Sequence, residues 1–289
     1  MQEIPELPDL DVGLATETGS FDAAFRLVHE QYLWRGYMTP MPSGRRLSAH
    51  HALPTTKVFV AHRLDSLIGT LTLVRDSLFG LPLDDLYRSE VAGLRRQGRR
   101  IAEVAALATS AASRRAGIAV LLHLMRMVVT YAIKVAGVND LCITVNPRHV
   151  EFYRTCLRFE VIGPERAYGK VNGAPAVALR LDLDVARAVE AAVHRGEDRE
   201  PIHHFLFAVG NQERVLGQLW SNLASAHFRR AQFLEFFGDG VLLQSLSAEM
   251  RARLERFFAP VSIDRPCELP LAAGRARSGS GPSTSAIYA

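Results

Sequence analysis

One segment constrains the fold more than any other. Residues 118–136, from Ile118 to Ala136, read as a helix that is apolar nearly all the way round. A helix with one apolar stripe needs one neighbour, whereas this one needs cover on more than one side. Arg126 and Lys134 interrupt its apolar run well short of a bilayer span, so it reads as a core helix. Gly137 stops it. An apolar strand, Arg100–Thr109, precedes it, and a short buried strand, Asp140–Val145, follows. Between the first strand and the helix lies Arg114-Arg115-Ala116-Gly117-Ile118-Ala119.

The flanking segments supply the other layers. After an extended lead-in over residues 1–20, Phe21, Phe25, Val28 and Tyr32 recur at helical spacing, and that helix ends at Trp34–Gly36. A long loop, Thr39–Pro54, leads to β-branched runs at Lys57–His62 and Leu67–Val74, joined as a hairpin. A helix opens at Leu81-Pro82-Leu83-Asp84-Asp85 and stops at Gly98. Asn146-Pro147 breaks the second buried strand before a helix over Arg148–Leu157. Phe159–Ile162 and Ala174–Leu183 then form a hairpin through Asn172-Gly173. This alternation predicts an α/β (α+β) fold: a mixed, mostly antiparallel sheet flanked by helices.

Beyond Asp184 the chain becomes helical. Val185–Arg195 is a helix, residues 202–258 are helix-rich, and Ser247 suits the N-cap of a last helix over Ala248–Phe258. The Gly/Ser-rich end is expected to be disordered. The expected division is a core over 1–190, a helical extension over 191–271 and a tail over 272–289.

Composition excludes several classes. A hydrophobic fraction of 48% and a charged fraction of 22% rule out wholesale disorder. A net charge of +4, without interleaved aromatics and arginines, argues against a nucleic-acid binder. The 3 cysteines lack CxxC or Cys/His spacing, so neither a disulfide framework nor a metal site is expected. The acidic start has no basic or apolar signal region, and the expected compartment is cytoplasmic.

The R-x-x-G-x-A turn carries the chemistry. Small residues let backbone N–H groups approach a phosphate, the helix N-terminus adds partial positive charge, and arginine adds donors. Alone, the pattern is also that of a plain turn. In its order of hairpin, acidic strand, turn, helix, strand, Asn-Pro break, Tyr-bearing helix and hairpin, the chain resembles the GNAT superfamily of N-acyltransferases. Residues 81–108 and 146–163 resemble more closely the FeeM-type N-acyl amino acid synthases, relatives of the acyl-homoserine lactone synthases. The resemblance covers roughly residues 20–184 and departs at Arg158, where the general pattern favours glycine.

That resemblance implies transfer of a long acyl chain from the phosphopantetheine thioester of acyl carrier protein to the amine of an amino acid. It implies no metal and no permanently bound cofactor; the thioester, on acyl carrier protein or on CoA, is the co-substrate. Leu107, Ala108, Thr109, Arg114, Arg115, Ala116, Gly117, Ile118, Ala119 and Asn146 would hold the thioester arm. Glu103, a carboxylate in an apolar strand, is the candidate base for the amine, against a partner for Arg100. Tyr153 is the candidate acid for the leaving thiolate, against simple packing beside Phe152. Trp34 and Arg35 would cover the acceptor, with Arg35 on its carboxylate. Arg95, Arg96, Arg99 and Arg100, with Arg114 and Arg115, would form a basic patch near the donor mouth for the acidic carrier. An acetyl-CoA-dependent N-acetyltransferase and a non-catalytic acyl-binding module remain as alternatives.

Overall fold

Strands β1 (Leu10–Leu14), β2 (Lys57–Arg63), β3 (Ser66–Arg75), β4 (Ile101–Thr109), β5 (Asp140–Val145), β6 (Glu160–Val161) and β8 (Ala174–Asp182) line up in the order β1-β2-β3-β4-β5-β8-β6. Strand β7 (Arg166–Tyr168) pairs with β8 off this path. The computed structural model describes residue 7 and residues 9–258, except 111–115, 239–240 and 245. The expected tail over 272–289 lies outside the described residues. Among the described residues all strand pairings are antiparallel except β4 with β5. A parallel pair needs a crossover, and α3 (Gly117–Tyr131) supplies it.

Helix α3 receives the cover its sequence demands. Strands β2 and β3 pack on one side, and α6 (Pro201–Phe207) and α7 (Val209–Asn222) on the other. Val120, Leu124, Met125 and Val128 are wholly buried. By length and composition alone, Gly117–Ala136 is apolar enough to cross a membrane, and 67% of that window is buried inside the fold. The contact with β3 is close: a Cβ on Gly69 would lie 2.5 Å from Val120 Cγ1.

Two expectations change in detail. The lead-in contains β1 and the start of α1 (Thr18–Trp34), because Leu10, Val12 and Leu14 pair with β2 rather than trailing in solvent. The Asn172-Gly173 turn joins β7, not Phe159–Ile162, to β8. Asn172 and Gly173 take φ of 54° and 75°, the positive values a tight turn requires. Arg158 takes the left-handed cap that a glycine would fill, at φ 57°, and donates from Nε to His203 Nε2 at 3.2 Å.

The helices beyond β8 share cores with the sheet. Phe233, Phe236, Phe237 and Phe258, from α8 (Arg230–Phe237) and α9 (Ala248–Phe258), pack with Phe21 and Phe25 of α1 and with Val58 and Val60 of β2. A polar link is buried Lys57, whose Nζ donates to the Ala226 carbonyl at 2.8 Å; burial pulls its pKa down to about 8. Ser247 Oγ accepts from Met250 N at 3.2 Å, the capping bond expected for α9.

Arg95, Arg99 and Arg100 bond to residues of the sheet and its turns, which corrects their place in the expected basic patch; Arg96 is exposed at the end of α2 (Asp84–Arg96). Arg99 and Arg180 each place Nε 2.6 Å from a different oxygen of Asp140, which is fully buried at the start of β5. Asp182 receives both arginines as well, at 2.8 and 2.6 Å. Arg95 forks onto Asp76 and Asp84, and Arg100 bonds Asn139. All four arginines of this cluster precede β4 in the chain. Asp140→Asn would leave two partly buried guanidiniums short of a charged acceptor on a fully buried residue. It is expected to cost about 3 kcal/mol of unfolding free energy, read as a lower urea midpoint at unchanged slope.

Candidate active site

Strands β4 and β5 pair only from Ile101↔Asp140 to Val104↔Ile143, and both continue beyond that point. On its other side β4 pairs with β3 in register at Leu73↔Val104 and Thr72↔Ala105, then resumes at Thr70↔Ala108. Ala106 and Leu107 therefore stand opposite Leu71 alone, which is a β-bulge. Ala106 takes φ of +50° to achieve it, a conformation costing an L-residue roughly 1 kcal/mol. Bulge and divergence together open the sheet.

A cavity lies on each side of the opening. The α3-side cavity is about 450 Å³ and the loop-side cavity about 700 Å³. Both are lined by Tyr32, Tyr37, Val104, Ala105, Ala106 and Asn146. They therefore share a wall where the two strands part.

The α3-side cavity gathers much of the expected turn. Leu107, Ala108, Thr109, Gly117 and Ile118 line it with Asn146. Ala116 is the N-cap residue of α3, and Ala119 points into the core at 2% exposure. Arg114 and Arg115 lie outside the described residues. A Cβ on Gly117 would lie 3.7 Å from Thr109 Oγ1, an ordinary contact, so the protein's own packing does not require glycine there. Tyr153 is also in this wall, buried, its ring edge-on to Phe152 and Phe159. Burial, reinforced by nearby Tyr32, pushes its phenol well above the usual range and keeps it protonated.

Glu103 lines the loop-side cavity at 3% exposure. It faces the turn before α2 (Asp84–Arg96), where Leu83 N donates to its Oε2 at 2.7 Å. Burial pushes its carboxyl up to about 8, against the downward pull of the Leu83 N–H and Lys170. Arg100, its expected alternative partner, bonds Asn139 instead. Cys142 stands beside Glu103 in the β4–β5 register and is fully buried, as a packing residue would be.

Arg35 does not reach the loop-side cavity: it lines the α3-side one, near Arg148 and His149. Trp34 lines neither and is 67% exposed, with the Arg35 guanidinium over its ring. Sequence reasoning missed Arg46, which does line the loop-side cavity. Its guanidinium lies 4.6 Å over the Tyr32 ring, and Nη2 donates to the Lys170 carbonyl at 2.9 Å. His50 is there too, as are Leu242, Leu246 and Met250 from the C-terminal helices. The only signal for Arg46 was its place in a long loop, and long loops in compact domains are often functional.

Comparison with known proteins gives this arrangement a family. The family model described as N-acyl amino acid synthase FeeM matches residues 23–182. Among solved structures, that of FeeM, an N-acyl amino acid synthase from uncultured soil microbes, is 30% identical with a TM-score of 0.53. The match covers 62% of this chain and 94% of that one. The acyl-homoserine lactone synthase LasI is 15% identical at a TM-score of 0.47, over 60% of this chain and 89% of that one. An N-acetyltransferase from Staphylococcus aureus Mu50 is 16% identical at 0.42, over 61% and 98%. No curated protein matches the chain. With more than half of its residues matched by the family model, the chain belongs to the FeeM family of N-acyl amino acid synthases and is an N-acyltransferase.

Proposed function

We propose that this N-acyltransferase joins a long acyl chain, delivered as the phosphopantetheine thioester of acyl carrier protein, to the amine of an amino acid. The observation that carries the reading is a pair of cavities sharing a wall at the β4–β5 opening, one behind the α3 N-terminus and one holding a buried carboxyl. A thioester arm entering by the first presents its carbonyl at the opening, within reach of an amine held in the second.

The division of roles follows from what lines each side. Gly117 and Ile118 at the helix N-terminus, with Arg35 and Arg148, form the donor wall and suit the phosphate of the arm. Backbone N–H groups at the bulge polarise the thioester carbonyl. On the acceptor side Arg46, held over Tyr32, takes the carboxylate of the amino acid; this role moves to Arg46 because Arg35 lies on the donor wall. In the reaction the amine nitrogen attacks the carbonyl carbon and gives its proton to ionised Glu103. The carbon–sulfur bond then breaks, and the thiolate takes the Tyr153 proton.

The primary test mixes the protein with long-chain acyl carrier protein and a pool of amino acids. Mass spectrometry is expected to find N-acyl amino acids, and finding none would sink the reading. Because Glu103 must be ionised to act, kcat/KM is expected to rise with pH and level off above about 8. Glu103→Gln should lower it by roughly 10²-fold or more and abolish that rise.

The same substitution has a signature independent of turnover. A folded-state pKa raised from 4.5 to about 8 stabilises the fold fully below pH 4.5, and that stability is lost as pH rises to 8. Glu103→Gln is not subject to this loss, so its melting temperature should gain on the wild type between pH 5 and pH 9. Tyr153→Phe keeps the packing and removes the proton donor. It is expected to lower kcat by roughly 10²-fold with the KM for the acyl donor unchanged.

A further inference from the structure

Helix α3 carries a second polar stripe that the reaction does not use. His123, Arg126 and Thr130 follow one another at helical spacing, on the face away from Gly117, Ile118 and Leu121 of the α3-side cavity. Arg126 is buried at 7% exposure, yet the groups around it are neutral or cationic. Its Nη2 donates to His123 Nδ1 at 3.1 Å, and its guanidinium lies 4.5 Å over the Phe205 ring of α6. Arg214 of α7 adds like charge, and no described carboxylate acts on Arg126.

The hydrogen-bond inventory of this seam is one-sided. A guanidinium only donates, so His123 Nδ1 is the acceptor and the ring proton sits on Nε2. That Nε2, Arg126 Nε and the amide nitrogen of buried Gln212 on α7 are all buried and have no acceptor. Two of these donors, His123 Nε2 and Arg126 Nε, are thus unspent beside the Arg126 and Arg214 charges, and the third lies on the packed α7. A guanidinium cannot neutralise itself by losing its proton in a protein, and an uncompensated buried charge costs several kcal/mol. The complement of this set is an acceptor-only, negatively charged group.

We propose that the seam between α3 and α7 binds a small oxyanion of the phosphate or sulfate type, held by Arg126, His123 and Gln212, with Arg214 at its solvent edge. Bound there, the anion ties the C-terminal helices to the central helix, at a place separate from the α3-side cavity.

Inorganic phosphate is the probe. The full chain is melted in rising phosphate against sodium chloride of matched ionic strength. The wild type should show a saturable increase in melting temperature, about 3 °C at ten times the dissociation constant. Arg126→Met should lose that increase and melt no lower than the wild type in phosphate-free buffer. Sulfate should reproduce the wild-type curve. No wild-type increase beyond chloride overturns the proposal, and so does an equal increase in Arg126→Met, which would place the phosphate elsewhere. Should Arg126→Met fail to fold, His123→Phe keeps the ring packing on Phe205 and removes one donor. It should weaken the phosphate midpoint at least threefold, and an unchanged midpoint overturns the proposal.

Discussion

Strands β4 and β5 stay paired for only part of their length, and the rest of the site depends on that parting. Two parallel strands left in register would run on as a closed ladder with no room between them. Here the bulge at Ala106 and Leu107 bends β4 after Val104, while Asn146-Pro147 ends β5 just beyond the last pair. The strain at Ala106 is held because both flanks are over-determined: β3 resumes its register at Ala108, and Ala108 is buried against Leu27 and Val28 of α1. The opening is therefore part of the folded state.

Two positions of the β4–β5 ladder, only two pairs apart, treat charge in opposite ways. At the paired end, Asp140 and Asp182 are saturated by Arg99 and Arg180, so β4, β5 and β8 are locked where no chemistry is proposed. At the opening, Glu103 is as deeply buried but receives one backbone N–H and no cation at ion-pair distance among the described residues. The same burial thus gives a fixed carboxylate in one place and a carboxyl poised near neutral pH in the other. Arginine-rich sequence around residues 95–100 looks like a docking patch when read alone; its partners, Asp76, Asp84, Asp140 and Asp182, are distant in sequence and close only in the sheet.

What the sequence shows of the fold is what local pattern controls. The bounds of β5 at Asp140–Val145 and the start of β2 at Lys57 follow from apolar runs and their breakers. The expected pairing of Phe159–Ile162 with β8 is present through Glu160 and Val161, but the Asn172-Gly173 turn joins β8 to β7, and Arg166–Tyr168 has no β-rich run to mark it. Glu103 was legible as a charge in an apolar strand. Arg46 was not, since nothing in a loop's composition says which arginine will stack on Tyr32 and face a cavity. The side on which Arg35 lies depends on how α1 ends against the opening, a tertiary fact that no local pattern encodes.

The C-terminal helices bear unequally on the two sides of the opening. The α3-side cavity is lined wholly by residues from Tyr32 to Tyr153, within the region shared with the family. The loop-side cavity adds Leu242, Leu246 and Met250, which lie beyond that region. These residues are held in place by the phenylalanine cluster on α1 and β2, by Lys57 on the Ala226 carbonyl, and by the Arg45 guanidinium over Phe236. A change in how α8 and α9 pack would therefore bear first on the proposed acceptor side, where residues of the extension are themselves in the wall. Helix α1, which Phe236 packs against through Phe25, carries Tyr32 into both cavities, whereas Leu242, Leu246 and Met250 line the loop-side one and not the α3-side one.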